Sequence, residues 1–376
     1  MTEEFAGIAP ILPLPLIQSE IPKISSWVDL LEAPYQTGIF SNSGTLAKRA
    51  ETLLASHIHP SLSGYLCSNA TLGLQASLVG LDLEGKSVAV SNFTFAATLQ
   101  AVFSAGANPI LCDVNLETLE IDLVQLKILI KSMSYKLDAL LITRPFGTYR
   151  DYKEIIDYCE QNSIKVVIDA AASFPSKSNY YDAGNYLEVY SFHPTKPFSI
   201  GEAGLVVGRD ESISAVKRTS NFGISPEGHF GDGTNAKADE FVAARAIAKF
   251  ASYAESQDKR LNFVKAMYSV FEESKLIRLL PIDTPCTWGL LPLRFTSESK
   301  LLKFKEAISS KIMTKRYYFP SLINGYTGRG KVFAPASLEN SQLVSSTTLC
   351  LPVYHEYSDD LIKWMSGVYS GTLSQL

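Results

Sequence analysis

A lysine amine and an acid at the end of an apolar run carry the most readable chemistry in these 376 residues. Lys196 lies in Ser191-Phe192-His193-Pro194-Thr195-Lys196-Pro197-Phe198, and Asp169 closes the run Lys165-Val166-Val167-Ile168-Asp169. A neutral lysine amine can hold an aldehyde as a Schiff base, and a carboxylate can keep a heterocyclic nitrogen protonated so that the ring accepts electrons. The unperturbed lysine pKa is about 10.4, so such a nucleophile must be partly desolvated or sit beside other positive charge. Phe192 and Phe198 supply apolar flanks, and Pro194 and Pro197 exclude a regular helix or a central strand between them. Taken singly, each residue also fits a plainer role, because most lysines are solvated and an aspartate can simply cap a helix.

A phosphate site is written into Ser68-Asn69-Ala70-Thr71-Leu72-Gly73-Leu74. This segment follows a strand-like run and opens a helical one, so free backbone N–H groups and the positive helix end would face an anion. Ser191 can add a hydroxyl to the same phosphate, or be satisfied by backbone at a strand end. Phe95, just past the run at 87–92, can stack on a flat ring or pack in the core. An amine for an aldehyde, an acid for a ring nitrogen and a cradle for a phosphate together describe pyridoxal 5′-phosphate (PLP). One motif competes: Gly80 to Ser87 satisfies the Gly-x-x-x-x-Gly-Lys-Ser pattern of a nucleotide-binding loop. That loop needs a strand before it and a helix after it, and here the order is reversed, so it reads as an ordinary turn.

The elements that must position these residues alternate. Apolar, β-branched runs at 65–69, 87–92, 109–114, 139–143, 166–169, 188–192 and 205–207 are interleaved with helical patterns at 71–79, 96–105 and 152–161. Such alternation predicts a mainly parallel sheet between helices, with a loop holding Lys196 that lets one strand run against the others. The stretch 220–237, rich in Gly, Asn and Ser, reads as an ordered functional loop, and a long helix is expected over 239–268. Two domains are expected: 1–250, large and cofactor-binding, and 251–376, a smaller C-terminal α/β unit.

Composition narrows the partners. A net charge of −4 and the lack of a basic block argue against nucleic acid. Cys67, Cys112, Cys159, Cys286 and Cys350 are scattered and read as buried hydrophobes of a reducing compartment. No metal-ligand spacing is seen. The opening run 1–5 is acidic, without the pattern of a secretory leader, and no stretch is long and apolar enough to cross a membrane. A cytoplasmic location is therefore expected, and the Asn69-Ala70-Thr71 and Asn92-Phe93-Thr94 sequons carry no weight.

Six segments in order, Ser68 to Thr71, Asn92 to Ala96, Ile168 to Ala171, Ser191 to Lys196, Gly201 to Gly204 and Gly233 to Lys237, make the chain resemble the DegT/DnrJ/EryC1/StrS sugar aminotransferases. Asp113 to Asp122 and Lys315 to Pro320 extend the resemblance over nearly the whole length. It implies an aspartate-aminotransferase (type I PLP) fold and transfer of an amino group from glutamate to a nucleotide-linked keto-sugar. By the same resemblance Lys196 is the Schiff-base lysine, Asp169 partners the ring nitrogen and Phe95 stacks on the ring. Ala70, Thr71 and Ser191 hold the phosphate, joined by Asn235 from the second subunit of a homodimer. A lysine at 196, where deoxygenating relatives have histidine, marks a transaminase. The Gly233-Thr234-Asn235-Ala236-Lys237 string looks most like enzymes that aminate C4 of dTDP-4-keto-6-deoxyglucose, with C3 amination or a UDP-linked sugar as alternatives. Ala172, where relatives usually carry Gln or His, removes a partner for the cofactor's phenolic oxygen and leaves open a binding or regulatory protein without turnover. Ala70 and Ala203 replace usual glycines, and some crowding is expected there.

Overall fold

The computed structural model of the chain describes residues 12–175 and 185–376. The acidic run 1–5 lies outside them. Seven strands, β1 (Ser63–Cys67), β2 (Ser87–Ser91), β3 (Asn108–Cys112), β4 (Ala139–Thr143), β5 (Lys165–Asp169), β6 (Tyr186–Ser191) and β7 (Gly204–Gly208), form one sheet in the order β1-β7-β6-β5-β4-β2-β3. Pairings among β2 to β6 are all parallel, and β7 runs against both β6 and β1. The expected α/β architecture is therefore present, with its one reversed strand directly after the Lys196 loop.

Alternation along each strand feeds two cores. On β5, Val166 and Ile168 enter one apolar cluster and Val167 enters the other, as period-two side chains must. Helices on the two faces supply the rest: α1 (Thr45–Ile58), α2 (Ala70–Gly80), α3 (Ala96–Ser104), α4 (Leu123–Ser132), α5 (Lys153–Gln161) and α6 (Asp210–Thr219). Gly80 to Ser87 is the turn from α2 into β2, helix before and strand after, which is the wrong order for a nucleotide-binding loop.

Helix α7 (Glu240–Phe271), N-capped by the Asp239 side chain on the Val242 N–H, joins two parts of the molecule. Its first turns place Val242, Ala243 and Ala246 in the core of the large sheet, while Phe263, Val264 and Met267 enter a separate core. That second core is built on a small antiparallel sheet in the order β10-β9-β8, from β8 (Ile277–Leu279), β9 (Leu290–Phe295) and β10 (Thr348–Pro352). Helices α8 (Glu298–Ile308) and α10 (Asp359–Leu373) cover it. Between them the chain returns to the large sheet: Leu322 and Leu338 pack in its core and Phe333 bridges Ile110. The Asp113 carboxylate accepts from the N–H groups of Asn340 and Ser341 at the start of α9 (Glu339–Thr347).

Candidate active site

The C-terminal ends of β4, β5 and β6, the N-termini of α2 and α3, and the loop after β6 converge on a cavity of about 650 Å³. Lys196, Asp169, Ala70, Thr71, Phe95 and Ser191, drawn from segments far apart in the sequence, all line it. Asn235 does not. It is exposed on a hairpin-like loop closed by bridges between Asn221 and Asn235 and between Ile224 and Phe230.

Lys196 is carried on a loop pinned at both ends. Phe192 and Phe198 are fully buried, with ring centroids 4.6 Å apart, and both pack on Phe174. Burying one such ring contributes roughly 1.5–3 kcal/mol, enough to fix the two ends of a short loop. Backbone bonds from Phe192 N to Ala203 O and from Ile200 N to Phe192 O close it, and Lys196 N donates to His193 O. The apolar flanks read from sequence are thus the anchors of the loop. Among the described residues the Lys196 amine makes no hydrogen bond or salt bridge. Burial pulls its pKa below that of a free lysine, and the Asp169 carboxylate pulls the other way.

Asp169 ends β5 and is buried, and burial raises its pKa against the hydrogen bonds that hold the carboxylate. Oδ1 accepts from the Ala171 N–H at 3.1 Å, and Oδ2 accepts from Thr98 Oγ1 at 2.6 Å. Thr98 is one member of a hydroxyl chain: Thr143 Oγ1 donates to Thr94 Oγ1 at 3.0 Å, and Thr94 and Thr98 share a 2.9 Å bond. These threonines were missed from sequence. Thr98 lies in the first turn of α3 and Thr94 just before its N-cap, Phe95, and no local pattern marked either hydroxyl as a partner of the acid.

The start of α2 has the features of an anion cradle. Asn69 caps it by accepting from Leu72 N, while the N–H groups of Ala70 and Thr71 have no acceptor among the described residues. Ser68 Oγ, immediately before, is buried without a hydrogen-bond partner, which is costly unless something polar binds there. Gly204 fixes this geometry from behind, since a Cβ on it would lie 2.7 Å from Ala70 N. The close approach is at Gly204, and Ala203 is accommodated in the core.

Opposite the cradle, Phe95 is 56% exposed, with a ring face free for a planar group and its edge toward Tyr317 at 6.5 Å between centroids. Tyr317 and Tyr318 bring the Lys315 to Pro320 segment into the wall, and Tyr318 stacks on Phe146 at 5.8 Å. At Ala172 the side chain offers nothing polar, but its carbonyl accepts from Thr287 Oγ1 at 2.6 Å, which ties this edge of the site to the segment leading into β9. The donor set suits a flat, phosphorylated, aldehyde-bearing pyridine: the unused Ala70 and Thr71 amides and the Ser191 hydroxyl, the oriented Asp169 acid and the unpaired Lys196 amine all line one cavity. No cluster of three metal-ligating side chains occurs among the described residues, and none of their helices is long and apolar enough to cross a membrane.

Residues 25–366 match the family model described as the DegT/DnrJ/EryC1/StrS aminotransferase family. Over 372 residues the chain is 24% identical to the dTDP-4-amino-4,6-dideoxy-D-glucose transaminase of Shigella dysenteriae, covering 94% of this chain and 97% of that one. The structure of DesI in the presence of its TDP-sugar product superposes with a TM-score of 0.86 at 21% identity, over 100% of this chain and 96% of that chain. NtdA from Bacillus subtilis, with bound cofactor PMP, superposes with a TM-score of 0.79 at 21% identity, over 94% and 83%. Structural likeness at these identities establishes a shared fold.

Proposed function

The chain belongs to the DegT/DnrJ/EryC1/StrS aminotransferase family, and on that premise we propose that it aminates C4 of dTDP-4-keto-6-deoxyglucose with glutamate as donor. It is a PLP-dependent aminotransferase of nucleotide-linked sugars; the carbon, the base and the donor are the proposal. The Shigella relative's name specifies a 4-amino sugar on dTDP, and DesI was solved with a TDP-sugar product, which supports both choices. One observation carries the reading: an unpaired, pKa-lowered lysine and a threonine-tethered aspartate face one cavity with an unfilled anion cradle.

PLP, when bound, supplies an aldehyde for the amine and an electron-accepting ring. Lys196 would hold that aldehyde and, freed from it, would carry the proton at the substrate carbon, a role that burial favours by pulling its pKa down. Asp169 would keep the ring nitrogen protonated. Thr98 and the Ala171 N–H fix the plane of the carboxylate so that the free lone pairs point one way. Ala70, Thr71 and Ser191 would hold the phosphate, and Phe95 would cover one ring face while helping to exclude water. The test is a panel of nucleotide keto-sugars incubated with glutamate and read by product mass. We expect one amination, at C4 of the dTDP sugar. Amination at C3, a UDP preference, or no bleaching of the cofactor band by glutamate would each overturn the corresponding part.

The protein is further proposed to be a homodimer in which Asn235 of the partner subunit completes the phosphate site. Phe222, Ile224 and Phe230 on the Asn235 hairpin are exposed, Phe230 by 83%, an apolar face that a second copy would cover. Mixing inactive Lys196→Ala and Asn235→Ala chains should restore activity. Full activity in a monomer by sedimentation would count against shared sites.

A further inference from the structure

Residues before the first helix form an extended strap that touches both parts of the molecule. Leu14 pairs with the loop after α8, through Leu14 N to Lys311 O at 2.8 Å and Met313 N to Leu14 O at 2.9 Å. Pro15 O accepts from Tyr354 Oη at 2.5 Å, and Gln18 Oε1 accepts from His355 N and Glu356 N, both at 3.0 Å. The strap then crosses to the Lys196 loop. Ile17 lines the cavity, Ser19 Oγ donates to Pro194 O at 2.9 Å, and Glu20 N donates to Ser199 Oγ at 3.2 Å. Those two bonds grip the loop on either side of Lys196. The Glu20 carboxylate is itself held from the long helix: Oε2 lies 2.8 Å from Lys249 Nζ and 3.6 Å from Arg260 Nη2, and both cations are nearly inaccessible to solvent. Lys249 and Arg260 sit on α7 between the large core and the small one, so one carboxylate ties the strap where the two parts meet.

We propose that Glu20 is a positioning residue for Lys196, holding loop 193–200 in register through the strap with Lys249 and Arg260 as its anchor. The strap's two hydrogen bonds to the loop go to a backbone carbonyl and a hydroxyl, so it sets where the amine stands without bonding to it. The inference rests on Lys196 being the reactive lysine. Displacement of a reacting group by about 1 Å can cost on the order of a hundredfold in rate, so loosening the strap should slow amine chemistry more than it weakens substrate binding.

The test pairs Glu20→Gln with Ser199→Ala, which leaves the ion pair intact and removes only the acceptor on the loop. Amide hydrogen exchange is followed in both variants, with and without PLP, together with the rate at which the apoprotein captures PLP by absorbance. The expected result is faster exchange in peptides covering 193–200, unchanged exchange in β4 and β5, PLP capture slowed by about tenfold, and kcat lowered with KM nearly unchanged. Ser199→Ala keeps the proposal testable if Glu20→Gln fails to fold. Unchanged exchange in 193–200 in a folded variant overturns it. So does a slow capture accompanied by loosening across the whole small sheet, which would make Glu20 a structural ion pair only. Borohydride labelling of the wild type at a lysine other than 196 would instead refute the assignment of Lys196, leaving the exchange result to judge the strap by itself.

Discussion

Two lysines in this fold have carboxylate neighbours, Lys249 buried and Lys196 half-buried, and desolvation lowers the pKa of both amines. Lys249 is 1% exposed and locked to Glu20 at 2.8 Å, with Arg260 and His355 around the same carboxylate, and it does not line the Lys196 cavity. Lys196 stands on a 650 Å³ cavity, and the nearby Asp169 is already committed to Thr98 and the Ala171 N–H. A perturbed pKa is thus shared by a tie and a nucleophile alike. What separates them is whether the acid has been taken up by other donors, leaving the amine unpaired, and whether space is left beside it for a reactant.

The sharpest way to break this contrast is to remove each amine. Lys196→Ala should abolish amino transfer while leaving the thermal midpoint close to that of the wild type, and borohydride should then label no residue in the cavity. Retained turnover would sink the distinction at once. Asp169→Asn should reduce the amination rate by orders of magnitude, because a neutral amide cannot hold a proton on the ring nitrogen; stopped-flow single turnovers would show the loss, with Thr98→Val giving a smaller loss of the same kind.

Lys249→Met should act on stability first. Breaking a buried pair from one side costs about 3–5 kcal/mol, and the remaining Arg260 places the cost near the lower end. Urea unfolding measures it, and the pyridoxyl label should still map to Lys196. The smallest expected effect is a pH dependence from His355, whose imidazole accepts from Arg260 Nη2 at 3.3 Å and whose pKa is pushed down to about 4 by burial and by the neighbouring cations. A folded-state pKa below the unfolded value of about 6.5 means that the unfolded chain binds the proton first. The stabilisation is complete above pH 6.5 and is lost as pH falls toward 4, on the order of 2 kcal/mol once the solvent at the edge of the cluster is allowed for. His355→Asn should flatten that part of the stability curve. An unchanged slope would mean that the cluster does not hold the imidazole neutral.

Local features were legible in the sequence and distant ones were not. The seven strands of the large sheet and the Asn69 cap follow from periodicity and short motifs, and every expected strand end lies within two residues of the observed one. Lys196 and Asp169 could be singled out because each closes or follows an apolar run. The Thr98 tether depends on α3 lying beside β5, which no local pattern specifies. Glu20 and Lys249 are farther apart still: neither residue type nor spacing relates a carboxylate before the first helix to an amine midway along α7. The return of Leu322 and Leu338 to the large core was invisible for the same reason, since an isolated leucine does not say which sheet it will cover.

The strap also sets an order of events during synthesis. Gln18 meets its partner in His355, 337 positions later, so the clasp over the lysine loop closes only after that long intervening stretch has been made. At roughly 5–20 residues per second the nascent large sheet, complete at Gly208, would wait about 7–30 seconds with its lysine loop unclasped. Chains released early, before the stretch that carries His355, would hold every residue assigned to the chemistry and still lack the fastening that aligns them.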